Sequence, residues 1–361
     1  VFGSGEQFVV GKTAPEKEGQ SRGEFEIIER VGGAVFDRVT SARLPEEHTK
    51  ARYTGREAAR FIREAGEQPF VLYVGLFEPH NPYVGPLDDL YAPDEMPVGP
   101  QFRRRSGEYS SMLHRTLAEH YMNGGAMYGE DLSTEAGCRR IRAQYMGNVT
   151  LIDRAVGDIL FSLQESGQAE NTIVVFTSEH GDMMGDHGLF EKSVMYEEAA
   201  RVPLLIRIPW LAQEQRMIDG SASQIDLVPT LLELPGEELP DGLQGKSLAS
   251  VLYDEGSLES NDVFIEWNGS DARPIRYFEN GVPPAEWAQV RGIWRTIVSR
   301  EGWKLNVSPT DQCELYDLNS DPHELVNRYN DSDQRNRVAE LTERIRKWQA
   351  ATEDQAALPA I

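Results

Sequence analysis

Two apolar runs, each followed within three residues by a histidine, constrain this chain more than any other feature. PFVLYVGLF at 69–77 and NTIVVFTS at 171–178 are continuous, short and rich in β-branched and aromatic residues. Such runs fit strands buried on both faces, as in a parallel sheet, rather than amphipathic strands with one wet face. A third run, PLLIRIP at 203–209, follows a helix-like stretch. Strand, long connection and strand in this order predict an α/β fold with a mostly parallel sheet flanked by helices.

The intervals between the runs give the rest of the organisation. Residues 1–50 are rich in Gly, Glu and Arg and read as connecting structure around a weak strand or two. Thr54 and Glu57 have capping-box spacing, followed by apolar Ala58, Ala59, Phe61, Ile62 and Ala65, so a short helix is expected from Thr54 to Gly66. Residues 84–130 hold many Pro, Gly and Met without a period and read as a long functional loop. A helix over about 136–166 places Tyr145, Met146, Val149, Ile152, Val156, Ile159, Leu160 and Leu163 on one face. From about 256 the pattern changes to short β-rich runs, VFIEWNG, WRTIVSR and GWKLNV, and a polar helix over roughly 333–350. This predicts a main α/β domain over 1–255 and a small α+β subdomain over 256–361, an antiparallel sheet with a helix on it.

Composition excludes some function classes. The 361 residues carry 36 basic and 59 acidic side chains, a net charge of −23, which opposes contact with nucleic acid or an anionic membrane. No run of 18 apolar residues occurs, so no membrane span is expected. Cys138 and Cys313 are far apart, form no CxxC pair, and read as two buried free thiols. The first residues, VFGSGEQFVV, lack both an initiator Met and the regions of a signal peptide, and the chain is expected to begin partway through a longer product. A bacterial cytoplasm or periplasm suits a soluble chain of this kind.

Chemistry concentrates at the ends of the two main runs, where ligands bind in open α/β sheets. Thr177-Ser-Glu-His-Gly-Asp-Met-Met-Gly-Asp-His-Gly188 sets Glu179 beside His180, with Asp182, Asp186 and His187 close behind. Carboxylate oxygens with an imidazole suit Ca²⁺, Mg²⁺ or Mn²⁺. A polar, glycine-rich loop whose acids cap helices is the alternative. His80 ends the other run between Pro79 and Pro82, which stiffen its turn. Lys192 offers an ammonium to an anionic substrate, or else is a solvated surface residue.

The run IVVFTSEHGDMMGDHGLFEKSVMYEEAARVPLLIRIP resembles the second signature region of sulfatases, read as TSDHGD…GDHG…K…RVPL. GLFEPHNPY resembles the family's PHxPY-type strand end. YMGNVTLIDRAVGDILFSLQESGQAENT, QIDLVPTLLEL and ELYDLNSDPHELVN are similar to its preceding helix, following helix and closing turn. The resemblance runs in order from about residue 52 to 330. It implies the alkaline-phosphatase-like fold and hydrolysis of a small-molecule or carbohydrate sulfate ester. Phosphonate monoester or phosphodiester hydrolysis in the same superfamily is the alternative, because both substrates present a tetrahedral anion.

Residue by residue, the resemblance implies that Glu179 and His180 bind one divalent cation, Ca²⁺ foremost and Mg²⁺ or Mn²⁺ otherwise. It implies that Lys192 contacts the sulfuryl oxygens and that His80 protonates the departing oxygen. Position 179 departs from the family's Asp, and the extra methylene suits Ca²⁺ better than the near-octahedral demand of Mg²⁺. The family's paired aspartates and its C-x-P/A-S-R element, whose Cys or Ser becomes formylglycine, have no counterpart in these 361 residues: Arg139 follows Cys138, and Glu314 follows Cys313. The chain alone is therefore expected to be inactive, and a catalytically incomplete fragment is a further alternative. An unpaired sheet edge left by such a gap would favour a homo-oligomer.

Overall fold

The computed structural model describes residues 7–8, 29–30, 45–104, 110–211, 214–269 and 287–360. Segment 270–286 lies outside the described residues, as does most of 1–44. The backbone divides into two units interleaved along the sequence. The first comprises Val1–Pro97, Gly124–Phe176 and Leu205–Trp210; the second comprises Val98–Asn123, Thr177–Leu204 and Leu211–Ile361. The architecture is mixed α/β, with a C-terminal four-stranded antiparallel sheet carrying a helix.

In the first unit, helix α1 spans Lys50–Ala65 and starts earlier than its sequence pattern predicts. Thr49 is its N-cap, accepting a hydrogen bond from the Arg52 amide at 3.3 Å, and Thr54 lies buried inside the helix. The capping-box spacing at Thr54 and Glu57 is thus coincidental, because an earlier Thr does the capping. The end at Gly66 is as expected: its φ of 59° suits glycine beyond a helix. The long helix of this unit spans Glu135–Glu165, is capped by Thr134, and packs on α1.

That packing corrects the face read from the sequence. Gly147, Asn148, Leu151, Ala155, Ser162 and Leu163 are buried, whereas Met146 and Leu160 are exposed. The crossing explains the choice of small residues. A Cβ placed on Gly55 of α1 would stand 3.0 Å from Ala155 Cβ and 3.1 Å from Ala155 Cα, so the two helices meet backbone to backbone with only the Ala155 methyl at the contact. Larger apolar residues flank this contact in two clusters, one around Ala51, Leu151 and Ala155 and one around Phe61, Ile62 and Leu163.

The apolar runs lie over these helices but are not buried on both sides. Phe70, Leu72 and Val174 pack on the Phe61 cluster and Leu76 on the Ala51 cluster. The alternate residues point away: Val71 is 81% exposed and Tyr73 76%. Strand β1 (Val174–Thr177) pairs with β2 (Leu204–Arg207), while 69–77 belongs to no ladder among the described residues. Among the described residues helices cover one face, so a run that reads as doubly buried is half-wet there.

The second unit contains a helix that the sequence reading missed. Within the supposed loop 84–130, α2 spans Met112–Met122. Here helix labels follow chain order, so the Glu135–Glu165 helix is α3. The N-terminus of α2 is satisfied from far along the chain. Asp311 accepts from the Met112 and Leu113 amides at 2.8 and 3.2 Å, Glu314 accepts from the Ser111 amide at 3.1 Å, and Ser111 Oγ caps His114. A helix whose orphan amides are capped about 200 residues away leaves no local signature.

The C-terminal sheet is a meander in which β3 (Val263–Trp267), β4 (Trp294–Val298), β5 (Trp303–Val307) and β6 (Glu314–Asp317) pair in sequence order, all antiparallel. Helix α4, the last, spans Arg335–Thr352 and lays Val338, Leu341 and Ile345 on Ile297, Leu305, Val307 and Leu315. Cys138 and Cys313 are both free and buried, as expected.

A buried ion group on this sheet and an aromatic stack within the loop hold the signature segment. Lys304 is fully buried, with Nζ 2.9 Å from Glu197 and 3.0 Å from Glu324, and the Glu197 amide donates to the same Glu324 at 2.6 Å. Burial pushes the Glu324 carboxyl up to about 7, with the neighbouring ammonium pulling the other way. His187 stacks on Tyr196 at 3.9 Å between ring centroids, and His114 lies 4.5 Å from the same ring. Burial, with the nearby His114, pushes the His187 imidazole down to about 3.

Replacing Lys304 by Met leaves Glu324 buried without its cation and is expected to cost about 3–5 kcal/mol in urea unfolding. The double change Lys304→Met with Glu324→Gln should recover most of that loss. His187 is neutral when folded and titrates near 6.5 when unfolded, so its contribution is intact above pH 6.5 and is lost as the pH falls from there towards 3. Between pH 7 and pH 5 the native chain should lose about 1–2 kcal/mol more stability than His187→Asn, measured by denaturant midpoints at each pH.

Candidate active site

His80 follows the apolar run 69–77 in the first unit, in the turn Glu78-Pro-His-Asn-Pro-Tyr83 whose two X–Pro bonds are cis. Its amide donates to the Phe77 carbonyl at 3.1 Å, and its ring Nδ1 donates to the Asn81 carbonyl at 2.8 Å. A carbonyl only accepts, so the proton is fixed on Nδ1 and the ring presents Nε2 to chemistry. The ring is half-buried, with the Phe77 ring 5.0 Å away.

Glu179, His180 and Lys192 lie in the second unit, beyond β1. His180 repeats the device of His80: its Nδ1 donates to the carbonyl of the next residue, Gly181, at 2.7 Å. Its Nε2 stands 3.9 Å from Oε2 of Glu179, whose side chain is 79% exposed. Two donors at that spacing can share one cation at the usual 2.0–2.6 Å. A backbone-anchored Nδ1–H is also the usual outer support of a metal-binding histidine. Gly181 allows the turn, since a Cβ there would lie 1.9 Å from the Glu198 carbonyl oxygen. Gln224 braces the same turn by donating to the Ser178 carbonyl.

The other donors of the loop are otherwise engaged. Asp182 Oδ1 accepts from the amides of Met184 and Glu191 at 3.2 and 3.0 Å, stapling the two limbs together. Asp186 is buried beside Gln101, whose Nε2 reaches both Asp186 and Glu198, and burial, aided by Asp186, pushes the Glu198 carboxyl up. His187 is spent on the Tyr196 stack. Among the described residues no group of three or more His, Cys, Asp or Glu gathers as a metal site. Glu179 and His180 could supply two of the six to eight donors that a Ca²⁺ ion takes, the remainder being left to carbonyl oxygens, water or residues beyond those described.

Lys192 is half-buried and sits between two residues with left-handed backbone, Glu191 at φ 63° and Ser193 at φ 80°. Neither is glycine, and such strain persists only where surrounding contacts impose it, commonly at functional sites. The contacts are visible: the Glu191 amide bonds to Asp182, and its carbonyl accepts from the Met183 amide at 2.8 Å. Asp182 therefore supports Lys192, a role its place in a cluster of possible ligands had concealed.

The described residues include no helix long and apolar enough to cross a membrane. The profile of the Sulfatase family matches residues 34–237, and that of the N-sulphoglucosamine sulphohydrolase C-terminal region matches 185–351. The chain is 27% identical over 325 residues to the multifunctional alkaline phosphatase superfamily protein PehA of Trinickia caryophylli, covering 87% of this chain and 62% of that protein. It is 31% identical over 212 residues to an N-acetylglucosamine-6-O-sulfatase of Bacteroides thetaiotaomicron, covering 58% and 36%. Its fold resembles that of a phosphonate monoester hydrolase of Agrobacterium radiobacter with a TM-score of 0.65 and 26% identity, covering 86% and 62%. The chain spans less than two thirds of the length of each of these proteins. The Sulfatase profile takes in more than half of the 361 residues, His80, Glu179, His180 and Lys192 among them, and on that match the chain belongs to the sulfatase family of the alkaline-phosphatase superfamily.

Proposed function

We propose that this chain supplies the leaving-group and cation side of a sulfate ester hydrolase. The observation that carries the reading is that two histidines of the family motifs, His80 and His180, each have Nδ1 anchored on the following backbone carbonyl. Each then offers Nε2, the nitrogen that protonation of a leaving oxygen or coordination of a cation requires. His80 protonated on Nε2 gives that proton to the departing ester oxygen as the S–O bond breaks and the sulfuryl group passes to the attacking nucleophile, and the neutral ring retains its Nδ1–H on Asn81. Lys192 neutralises the non-bridging sulfuryl oxygens, on a backbone fixed by Asp182. A divalent cation held by Glu179 and His180, Ca²⁺ foremost, would supply further positive charge to the anion. The N-acetylglucosamine-6-O-sulfatase among the relatives favours a carbohydrate sulfate as substrate.

No C-x-P/A-S-R element occurs in these 361 residues. The 361-residue chain alone is therefore expected to release no 4-nitrophenol from 4-nitrophenyl sulfate. Joined to a nucleophile-bearing N-terminal segment of a sulfatase, it should cleave aryl sulfate and N-acetylglucosamine 6-sulfate faster than an aryl phosphonate monoester. The reverse order would replace the sulfatase reading by the phosphonate one.

Cation binding is testable without turnover. Isothermal titration of the chain with CaCl₂ should show a weak site that Glu179→Gln and His180→Ala each weaken at least tenfold. Equal affinity in both variants would remove this pair from the cation's ligand set.

A further inference from the structure

Glu78 interrupts an apolar run directly before the His80 turn, a costly place for a carboxylate. It is only 7% exposed, and a buried carboxylate must be compensated. Part of the compensation comes from α1: Glu78 Oε1 accepts from the Ala51 amide at 3.3 Å. That amide is one of those a helix leaves unsatisfied in its first turn, and the positive end of the helix favours an anion there. Lys50, in the same turn and also buried, holds Nζ 4.6 Å from the centroid of the Phe77 ring, which in turn lies 5.0 Å from the His80 ring.

The other end of the turn is held from α3. Asn148, 2% exposed in mid-helix, donates Nδ2 to the carbonyl of Tyr83 at 2.9 Å, and Tyr83 is wholly buried. Gly85 makes room, because a Cβ there would lie 2.8 Å from Asn148 Oδ1. The two anchors thus rise from two helices whose backbones touch at Gly55 and Ala155. Between them hang the two hydrogen bonds that orient His80, from its amide to Phe77 and from its ring to Asn81.

We propose that Glu78 is a positioning residue for His80: by tying the turn to the Ala51 amide in the first turn of α1, it holds the imidazole with its proton on Nδ1 and Nε2 presented. Asn148 does the same work at the far end. The assignment rests on the reading of His80 as proton donor to the leaving group, a role that needs the ring held within about 0.5 Å and 10–20°. Neither Glu78 nor Asn148 touches the reacting atoms in this scheme.

The test reads the ring itself. In the ¹⁵N-labelled chain, long-range ¹H–¹⁵N correlation spectra resolve the ring nitrogens of its seven histidines, and His80→Asn assigns His80. Above its titration, native His80 should be almost wholly the Nδ1–H tautomer. Glu78→Ala should turn it towards the Nε2–H form of an unconstrained imidazole and broaden its signals, leaving the His114 and His187 patterns unchanged. Glu78→Gln, which keeps an acceptor for Ala51, should restore the native pattern. If Glu78→Ala does not fold, Glu78→Asp serves, because its carboxylate is one methylene short of the amide and the same loss is expected. A folded Glu78→Ala or Glu78→Asp chain with native His80 signals overturns the proposal, as does Glu78→Gln behaving like Glu78→Ala. Since turnover is not measured, a failed sulfatase assay leaves this result standing, and an unmoved ring leaves the sulfatase reading standing.

Discussion

A fully buried ammonium between two carboxylates organises the second unit. Lys304 rises from β5, and its partners come from two other segments: Glu197 from the signature segment and Glu324 from the turn after β6. Burial alone would strip the lysine of its proton, but Glu324 and Glu197 hold its pKa above the ordinary value. The Glu197 amide closes the triangle on Glu324. Once this group is formed, the segment after the glycine-rich loop has one position on the sheet. The Tyr196 ring, stacked on His187 and near Tyr316, fills the apolar space beside it.

From that anchor the loop is shaped inwards. Asp182 staples its limbs, Gly185 and Gly188 take left-handed backbone, and Met184, His187, Glu191 and Ser193 accept the same conformation without being glycine. So many strained residues within a dozen positions require a rigid base, which the Lys304 triangle and the aromatic stack provide. The outcome is a loop that exposes Glu179, half-exposes His180 and Lys192, and buries Asp186 and His187. In the first unit the base is different in kind: two helices in backbone contact carry the His80 turn from both ends.

Much of the fold was legible from local chemistry. Gly66 and Gly167 mark helix ends because each takes positive φ there, and every β-rich run after residue 256 that was read as a strand pairs in the C-terminal sheet. What failed did so for identifiable reasons. The start of α1 was misplaced because two Thr residues five apart both suit a cap, and only packing selects Thr49. The buried face of α3 was misread because its closest contact uses Gly55 and Ala155, residues that hydrophobic periodicity weights least. Helix α2 was missed because its caps, Asp311 and Glu314, come from the far end of the chain. Of five possible donors in the signature loop, the sequence named all, but only the fold separates Glu179 and His180 from those spent on structure.

The sequence by itself determined the family and the residue types at the site. Motif order and spacing survive in one dimension, and a carboxylate beside an imidazole has its chemistry wherever it stands. Tertiary structure alone decided which nitrogen of His80 and His180 is presented, since that depends on a carbonyl brought within 3 Å of Nδ1 by the turn. It alone decided that Glu78 and Asn148 serve the His80 turn, because their partners, Ala51 and Tyr83, lie 27 and 65 residues away in sequence. Hydrogen-bond direction and burial are properties of neighbours in space, and a linear pattern records neighbours only along the chain.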